Sequence, residues 1–371
     1  MHISHPLSTT SPDSRFLGLP RWAARSVLAA LTLLIGYGLL TTLVSYHPPA
    51  PNAKMAGNPA SLDMMLYRGI AERVAKGESY YTAAVSEHRA RGFPLRPFVT
   101  VRPPLLATLI GTFGESAMAW ALRALALLTL LSFATRFESV LPDLRLRLAA
   151  LILLTGGLVI FISPGMAMLH DVWASILITL SLAIYPYEGR DKAQRSAPLW
   201  IGLAIVLGVT AAIMRELCMP YLLAMAAAAL YEGRKREAAA WSLGLVIAVA
   251  ALAVHAYRLS FLVNAHDGHS PGWASAGGWH FIIEMLDLGS LFRIVPRLAV
   301  VSLVPLAFIG WIGWRHGFAL RVSLWICGMT AAFMLVGRPD NFYWVTHIAI
   351  LLPMGLAFAP RAVLTLARAA R

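Results

Sequence analysis

The feature that most constrains this chain is the recurrence of apolar runs, about 16 to 24 residues each, separated by short charged stretches. Coiled into a helix, a run of that length matches the hydrocarbon core of a bilayer, about 30 Å thick. Of the 371 residues, 58% are hydrophobic and only 13% are charged. A soluble domain carries about a quarter charged residues, so this excess of apolar surface calls for a lipid solvent. Runs that qualify as spans lie at about 23–45, 116–135, 148–162, 170–185, 198–214, 217–231, 239–257, 296–314, 318–336 and 341–359. The expectation is an all-α polytopic membrane protein, a single transmembrane domain with about ten transmembrane helices.

A net charge of +13 would also suit a nucleic-acid binder. The basic residues, however, fall between apolar runs rather than interleaving with aromatics on one soluble face, and no nucleic acid is expected as a partner. They collect in alternate loops: Arg136, Arg145 and Arg147; Arg190, Lys192 and Arg195; Arg234, Lys235 and Arg236; Arg315 and Arg321; Arg361, Arg368 and Arg371. By the positive-inside rule these loops and both ends of the chain are cytoplasmic, as in a multi-pass protein of the cytoplasmic (inner) membrane. The first run, flanked by Arg15, Arg21 and Arg25, exceeds a signal-peptide core and reads as a retained span. Cys218 and Cys327 sit in apolar runs without a Cys-x-x-Cys or Cys/His spacing.

Two connections on the opposite, non-cytoplasmic side are long: 46–115 and 258–295. In the first, Asn58-Pro59 reads as an N-cap followed by Pro at the first helical position. Leu62, Met65, Leu66, Ile70 and Val74 then recur at helical spacing up to Gly77, with Asp63, Tyr67, Glu72 and Lys76 opposite. This is the pattern of an amphipathic helix in the membrane interface. A short polar helix from Tyr80 to Arg91 is expected next, ending at Gly92. The apolar run at 105–113 is too short to span and reads as re-entrant or interfacial. In the second connection, Asn264, His266, Asp267 and His269 include metal-competent side chains, although such clusters in Gly/Ser-rich loops are more often solvated turns.

Ionisable groups near or within spans cost several kcal/mol on insertion scales and are functional candidates by default. Here they gather on the outer side: Asp63, the pair His170-Asp171 opening a span, the pair Arg215-Glu216 in a break between two apolar helices, Arg338 and Asp340, and His347 within the last run. Each has a plainer reading. Asp63 could be a solvated first-turn acid, His170-Asp171 a polar helix start, and Arg215-Glu216 a self-satisfied ion pair. The arginines Arg102, Arg215, Arg258, Arg293, Arg297 and Arg338 lie where the positive-inside rule expects depletion. Because arginine is the preferred forked partner of phosphate, they point to a phosphate at the outer leaflet. Arg293 and Arg297 could simply snorkel to headgroups.

A membrane-embedded first loop with Asp63, Tyr67, Ala71, Gly77 and Tyr80-Tyr81, followed by Arg102-Pro103-Pro104, resembles the first outer loop of the GT-C superfamily of polyprenyl-phosphate-dependent glycosyltransferases. His170-Asp171 falls where those proteins often carry a second acidic motif, and Arg215-Glu216 is similar to a basic-acidic pair found further along in several of them. The likeness runs from about residue 58 to 216, and departs from better-known members in having a single Asp rather than an acidic pair at the first site. It implies transfer of a sugar from a polyprenyl-phosphate donor to a glycan, lipid or protein acceptor at the non-cytoplasmic face. Asp63 and Asp171 would be catalytic, and Tyr67, Arg102, His170, Arg215, Glu216 and Arg338 substrate-binding, with a divalent metal left open. Glycosyl transfer needs a carboxylate to take the acceptor proton and positive charge for the departing phosphate; Asp63 suits the first role and Arg215 and Arg338 the second. A transporter or flippase for a lipid-linked anion would use similar residues, but places its site near the midplane in paired halves. An inactive scaffold would leave the clustered charges unexplained.

Overall fold

The computed structural model describes residues 14–44, 59–163, 165–187, 197–272 and 275–371. The expected Asn58 cap, the start of the first outer connection and the basic residues at 190–195 lie outside them. Among the described residues the chain is all-helical, without a β-strand: α1 Arg21–Val44, α2 Pro59–Ala75, α3 Tyr80–Arg91, α4 Leu105–Phe113, α5 Glu115–Val140, α6 Leu144–Val159, α7 His170–Ile184, α8 Ala197–Met214, α9 Met219–Tyr231, α10 Lys235–Ser260, α11 Gly278–Gly289, α12 Arg297–Gly313, α13 Gly317–Val336, α14 Thr346–Ala349 and α15 Gly355–Ala369.

Six segments are long and apolar enough to cross a membrane: Arg21–Val44, Glu115–Val140, Leu144–Ile162, Lys235–Ser260, Gly317–Val336 and Tyr343–Ala369. Four other expected spans, α7, α8, α9 and α12, are shorter apolar helices. Their bounds agree with the sequence-based ones to within about two residues, and the α8–α9 junction is a true break in the backbone. Between α8 and α9, Arg215 is extended (φ −147°) and Glu216–Cys218 form a 3-10 turn before Pro220 enters α9. Pro220 has no N–H to give and its ring would collide with the carbonyl of residue 216, so one continuous helix is barred.

The last expected span is also broken. A 3-10 stretch Pro339–Val345 leads into α14, a second 3-10 turn Leu352–Met354 follows, and α15 continues to Ala369, ten residues past the sequence-based boundary at 359. What permits the bend to settle is a close crossing with α12. A Cβ on Gly310 would fall 1.8 Å from the Gly355 carbonyl oxygen, so the two backbones touch where both residues are glycine, the small-residue contact common between membrane helices.

At the centre stands α7, with every side chain from His170 to Ala183 buried, as expected for a helix that is apolar all round. It packs against α5, α8 and α14. Ser181 Oγ donates to the Ala204 carbonyl of α8 (2.7 Å) and lies 2.8 Å from Tyr221 Oη of α9.

The first connection forms a helical cap on the end of α7 that carries His170. α3 begins at Ser79, whose Oγ accepts from Thr82 N, and ends at Gly92, which takes the left-handed conformation (φ +72°) and returns its N–H to Arg89 and His88, as its sequence suggests. α4, nine residues long, reaches about 14 Å, half a bilayer core, and packs on α2. One expectation is corrected. The expected polar face of α2 is split: Tyr67 is buried and Asp63 half-buried, whereas Glu72 and Lys76 are exposed, and the apolar stripe likewise buries Leu66 and Ile70 but exposes Leu62 and Met65. α2 therefore turns Asp63 and Tyr67 inward, onto α7 and the 339–345 turn.

The second connection contains a helix that its sequence pattern does not announce. α11 buries Trp279, Phe281, Ile282, Ile283, Met285 and Leu286 and packs on α12, α13 and the 339–345 turn.

Candidate functional site

Five separate segments bring polar side chains together at the His170 end of α7: α2, the Arg102-Pro103-Pro104 turn entering α4, the first turn of α7, the 215–218 break, and the stretch from 339 to 349. Asp171 is the hub. Its Oδ1 accepts from Arg215 Nε at 2.7 Å and lies 3.1 Å from His347 Nε2. Asp171 is 3% exposed and ion-paired rather than a polar helix start at the interface, and Arg215, 1% exposed, pairs with Glu216 as the plainer reading has it but with Asp171 as well. The opposite edge of His347 is held by Ser175, whose Oγ lies 3.2 Å from Nδ1 and donates to the Asp171 carbonyl at 2.6 Å. The broken last span is what carries His347 into this position.

Arg215 is held on three sides. Besides Asp171, it donates Nη1–H to Glu216 and lies over the Trp344 ring, 5.6 Å from the centroid, an arrangement that favours a cation. Its remaining nitrogen, Nη2, is buried without a hydrogen-bond partner among the described residues, and so is Glu216 Oε2. A buried unpaired polar atom costs about 1–3 kcal/mol, and this ion pair carries one on each partner.

Arg102 approaches from the α4 side. Its Nη1 lies 3.6 Å from Glu216 Oε1, the same oxygen that Arg215 binds. Nε donates to Tyr67 Oη at 3.1 Å, and Tyr80 of α3 donates its hydroxyl to the Arg102 carbonyl. The Tyr67 ring packs edge-on against His170 at 4.9 Å.

Asp63, one turn before Tyr67, accepts a hydrogen bond from Tyr343. Burial raises the proton affinity of its carboxyl, partly countered by the nearby Arg102 guanidinium and the Tyr343 bond. A half-buried carboxylate with a raised affinity for protons is the kind of group that general-base chemistry uses.

The structure thus joins Asp63, Tyr67, Arg102, His170, Asp171, Arg215 and Glu216 in one continuous constellation. Arg338 heads the 339–345 turn and donates to the Gly272 carbonyl of the second connection at 2.6 Å. Tyr343 and Trp344 are missing from the sequence-based candidates because aromatic residues at a span end read as interface anchors.

Among the described residues no group of three or more His, Cys, Asp or Glu is arranged to hold a metal ion. The Asn264–His269 stretch is tied down instead. Asp267 accepts Nε and Nη2 of Arg89, both at 2.8 Å, and the Asn264 N–H at 2.8 Å.

No protein-family model, curated protein or solved structure matches this chain.

Proposed function

We propose that this protein is an integral membrane glycosyltransferase that moves a sugar from a polyprenyl-phosphate donor to an acceptor hydroxyl at the non-cytoplasmic face of the cytoplasmic membrane. The observation that carries the reading is the pairing of a half-buried carboxylate, Asp63, with two converging guanidiniums, Arg102 and Arg215, one of which keeps a buried donor unpaired. Asp63 takes the acceptor proton as the new bond to the anomeric carbon forms and the bond from that carbon to the phosphate oxygen breaks. Arg215 and Arg102 hold the negative charge that collects on the departing lipid phosphate. Asp171 and His347 do not touch the reacting atoms in this scheme; they fix Arg215. Tyr67 and His170 line the acceptor side.

This reading requires α7, α8, α9 and α12 to cross the membrane together with the six longer segments. Supporting it, a second ionic network (Arg321, Glu232, Glu237, Tyr185) sits at the far end of α7, beside the basic stretches at 234–236 and 315–321. Tyr185 is 14 residues beyond Asp171, about 21 Å along a helix. Reporter fusions after Arg145, Arg234 and Arg315 should all report cytoplasm; an external signal at two of them would overturn this topology.

The activity test supplies purified protein in liposomes with a polyprenyl-phosphate sugar and a panel of glycan, lipid and protein acceptors. Release of the carrier phosphate with a glycosylated acceptor is the expected outcome. Movement of intact lipid-linked sugar across the bilayer, with no bond broken, would instead make the protein a flippase.

A further inference from the structure

Resting on the reading just given, we propose that Glu216 is an internal stand-in for the donor phosphate: its carboxylate occupies the point where Arg215 and Arg102 converge, and the lipid phosphate enters by displacing it. Glu216 is then a gating residue that sets donor affinity, rather than a contact to the donor.

The geometry has four parts. First, a single oxygen, Glu216 Oε1, serves both guanidiniums, bonded to Arg215 Nη1 and 3.6 Å from Arg102 Nη1. Two buried cations facing each other repel unless an anion lies between them, and Glu216 supplies that anion. Second, the carboxylate fits this role incompletely. Its Oε2 and the Arg215 Nη2 are both buried without partners among the described residues, so the fork of Arg215 is half used. A phosphate monoester or diester offers more oxygens, in an arrangement that can engage Nη1, Nη2 and Arg102 together.

Third, Glu216 is the most exposed of the four charged groups. Its side chain is 15% exposed, against 11% for Arg102, 4% for Asp171 and 1% for Arg215. It opens a 3-10 turn in the helix break, whereas Asp171 is locked into α7. Fourth, Arg215 stays in place when Glu216 moves, because Asp171 holds Nε and Trp344 covers its face. The guanidinium is therefore presented to an incoming anion by partners that do not compete for its outer edge.

The consequence is a gain of function, which a merely structural ion pair does not give. Glu216→Gln keeps the shape and removes the competing charge, so phosphate binding should tighten about tenfold, equivalent to about 1.4 kcal/mol. The probe is farnesyl phosphate, titrated calorimetrically into full-length protein in detergent, with farnesol and inorganic phosphate as parallel arms. The expected order of affinity for farnesyl phosphate is E216Q above the unsubstituted protein, and both above R215K. Tightening for inorganic phosphate as well would assign the effect to the phosphoryl group alone; tightening for farnesyl phosphate only would add the lipid as part of the recognised ligand. If E216Q is not recovered folded, E216D carries the test, since its shorter side chain cannot reach Arg102 and should also tighten binding, by a smaller factor. Phosphate-dependent binding that is unchanged or weaker in these variants overturns the stand-in while leaving the proposed enzyme intact. Equal binding of farnesyl phosphate and farnesol by all the proteins would overturn both.

Discussion

Arg215 donates its Nε–H to Asp171 across 2.7 Å, so the break between α8 and α9 is anchored to the first turn of α7. Both groups are almost wholly buried. Removing one member of such a pair leaves the other charge without compensation, and we expect Asp171→Asn to destabilise the protein by about 3–5 kcal/mol. Replacing both by apolar residues of similar size, as in D171L/R215M, should restore most of that stability while leaving donor binding lost. Thermal unfolding in detergent measures the first effect and lipid-phosphate titration the second. A double variant as unstable as Asp171→Asn would show that the hydrogen bonds to His347 and Glu216 matter more than the charges.

Asp63 carries the test of chemistry. Asp63→Asn preserves shape and should lower transfer by about 100 to 10,000-fold, the range for loss of a general base, with donor binding kept. Burial raises its pKa in the folded state, so the folded protein holds that proton more tightly than the unfolded chain does. The stability contributed by this group is fully present below the unfolded value of about 3.9 and is lost as pH rises through the folded value. Activity runs the other way, rising with pH over the same window as the base becomes free. A pH–rate profile identical in the Asn variant and the unsubstituted protein would remove Asp63 from the mechanism.

Much of this arrangement is legible in the sequence, and the misses have physical causes. Asp63, Asp171 and Arg215 stand out because charge is expensive near apolar runs, and the Arg215-Glu216 break is readable from Pro220 close behind it. The orientation of α2 is not, since its apolar stripe and its Asp63-Tyr67 stripe both find partners only once α4 and the 339–345 turn are in place. His347 stands out as a costly residue, but its bond to Asp171 depends on breaks at 345 and 352 within a run that reads as one span. Arg321 counts as a loop cation by sequence; the structure puts it inside α13 with its side chain fully covered, because its partner Glu232 is 89 residues away.

The two long connections are clasped by Arg89 and Asp267. The Arg89 fork holds the Asp267 carboxyl down to about 2, and Arg96 donates to the Asp267 and Ala265 carbonyls. A depressed carboxyl contributes stability that is present above its unfolded value of about 3.9 and is lost as pH falls toward 2. The clasp should therefore be insensitive to pH near neutrality. Arg89→Ala should speed amide hydrogen exchange in 262–270 at pH 7, with the helices of the core unaffected. Unchanged exchange there would mean that Arg96 and the backbone hold the stretch without Arg89.

At the far end of α7 the Arg321 guanidinium forks onto Glu232 with two contacts of 2.7 Å and donates to Tyr185 Oη at 3.1 Å, while Tyr185 in turn donates to Glu237. Arg234 pairs with both glutamates, so two cations face two anions and the network is neutral. Arg321→Ala removes the only side chain by which α13 reaches this network among the described hydrogen bonds, and leaves Glu232 and Glu237 sharing Arg234. We expect a loss of about 3–5 kcal/mol, and a smaller loss for Arg321→Lys, which keeps the charge but not the fork. The network lies about 21 Å along α7 from Asp171, and contributions from sites more than about 10 Å apart add to within about 0.5 kcal/mol. The combined D171N/R321A variant should accordingly lose the sum of the two single effects, and Arg321→Ala alone should leave farnesyl phosphate affinity within about twofold of its starting value. A larger shift in affinity would show that the two ends of α7 communicate and that this second network belongs to the functional apparatus rather than to the framework that supports it.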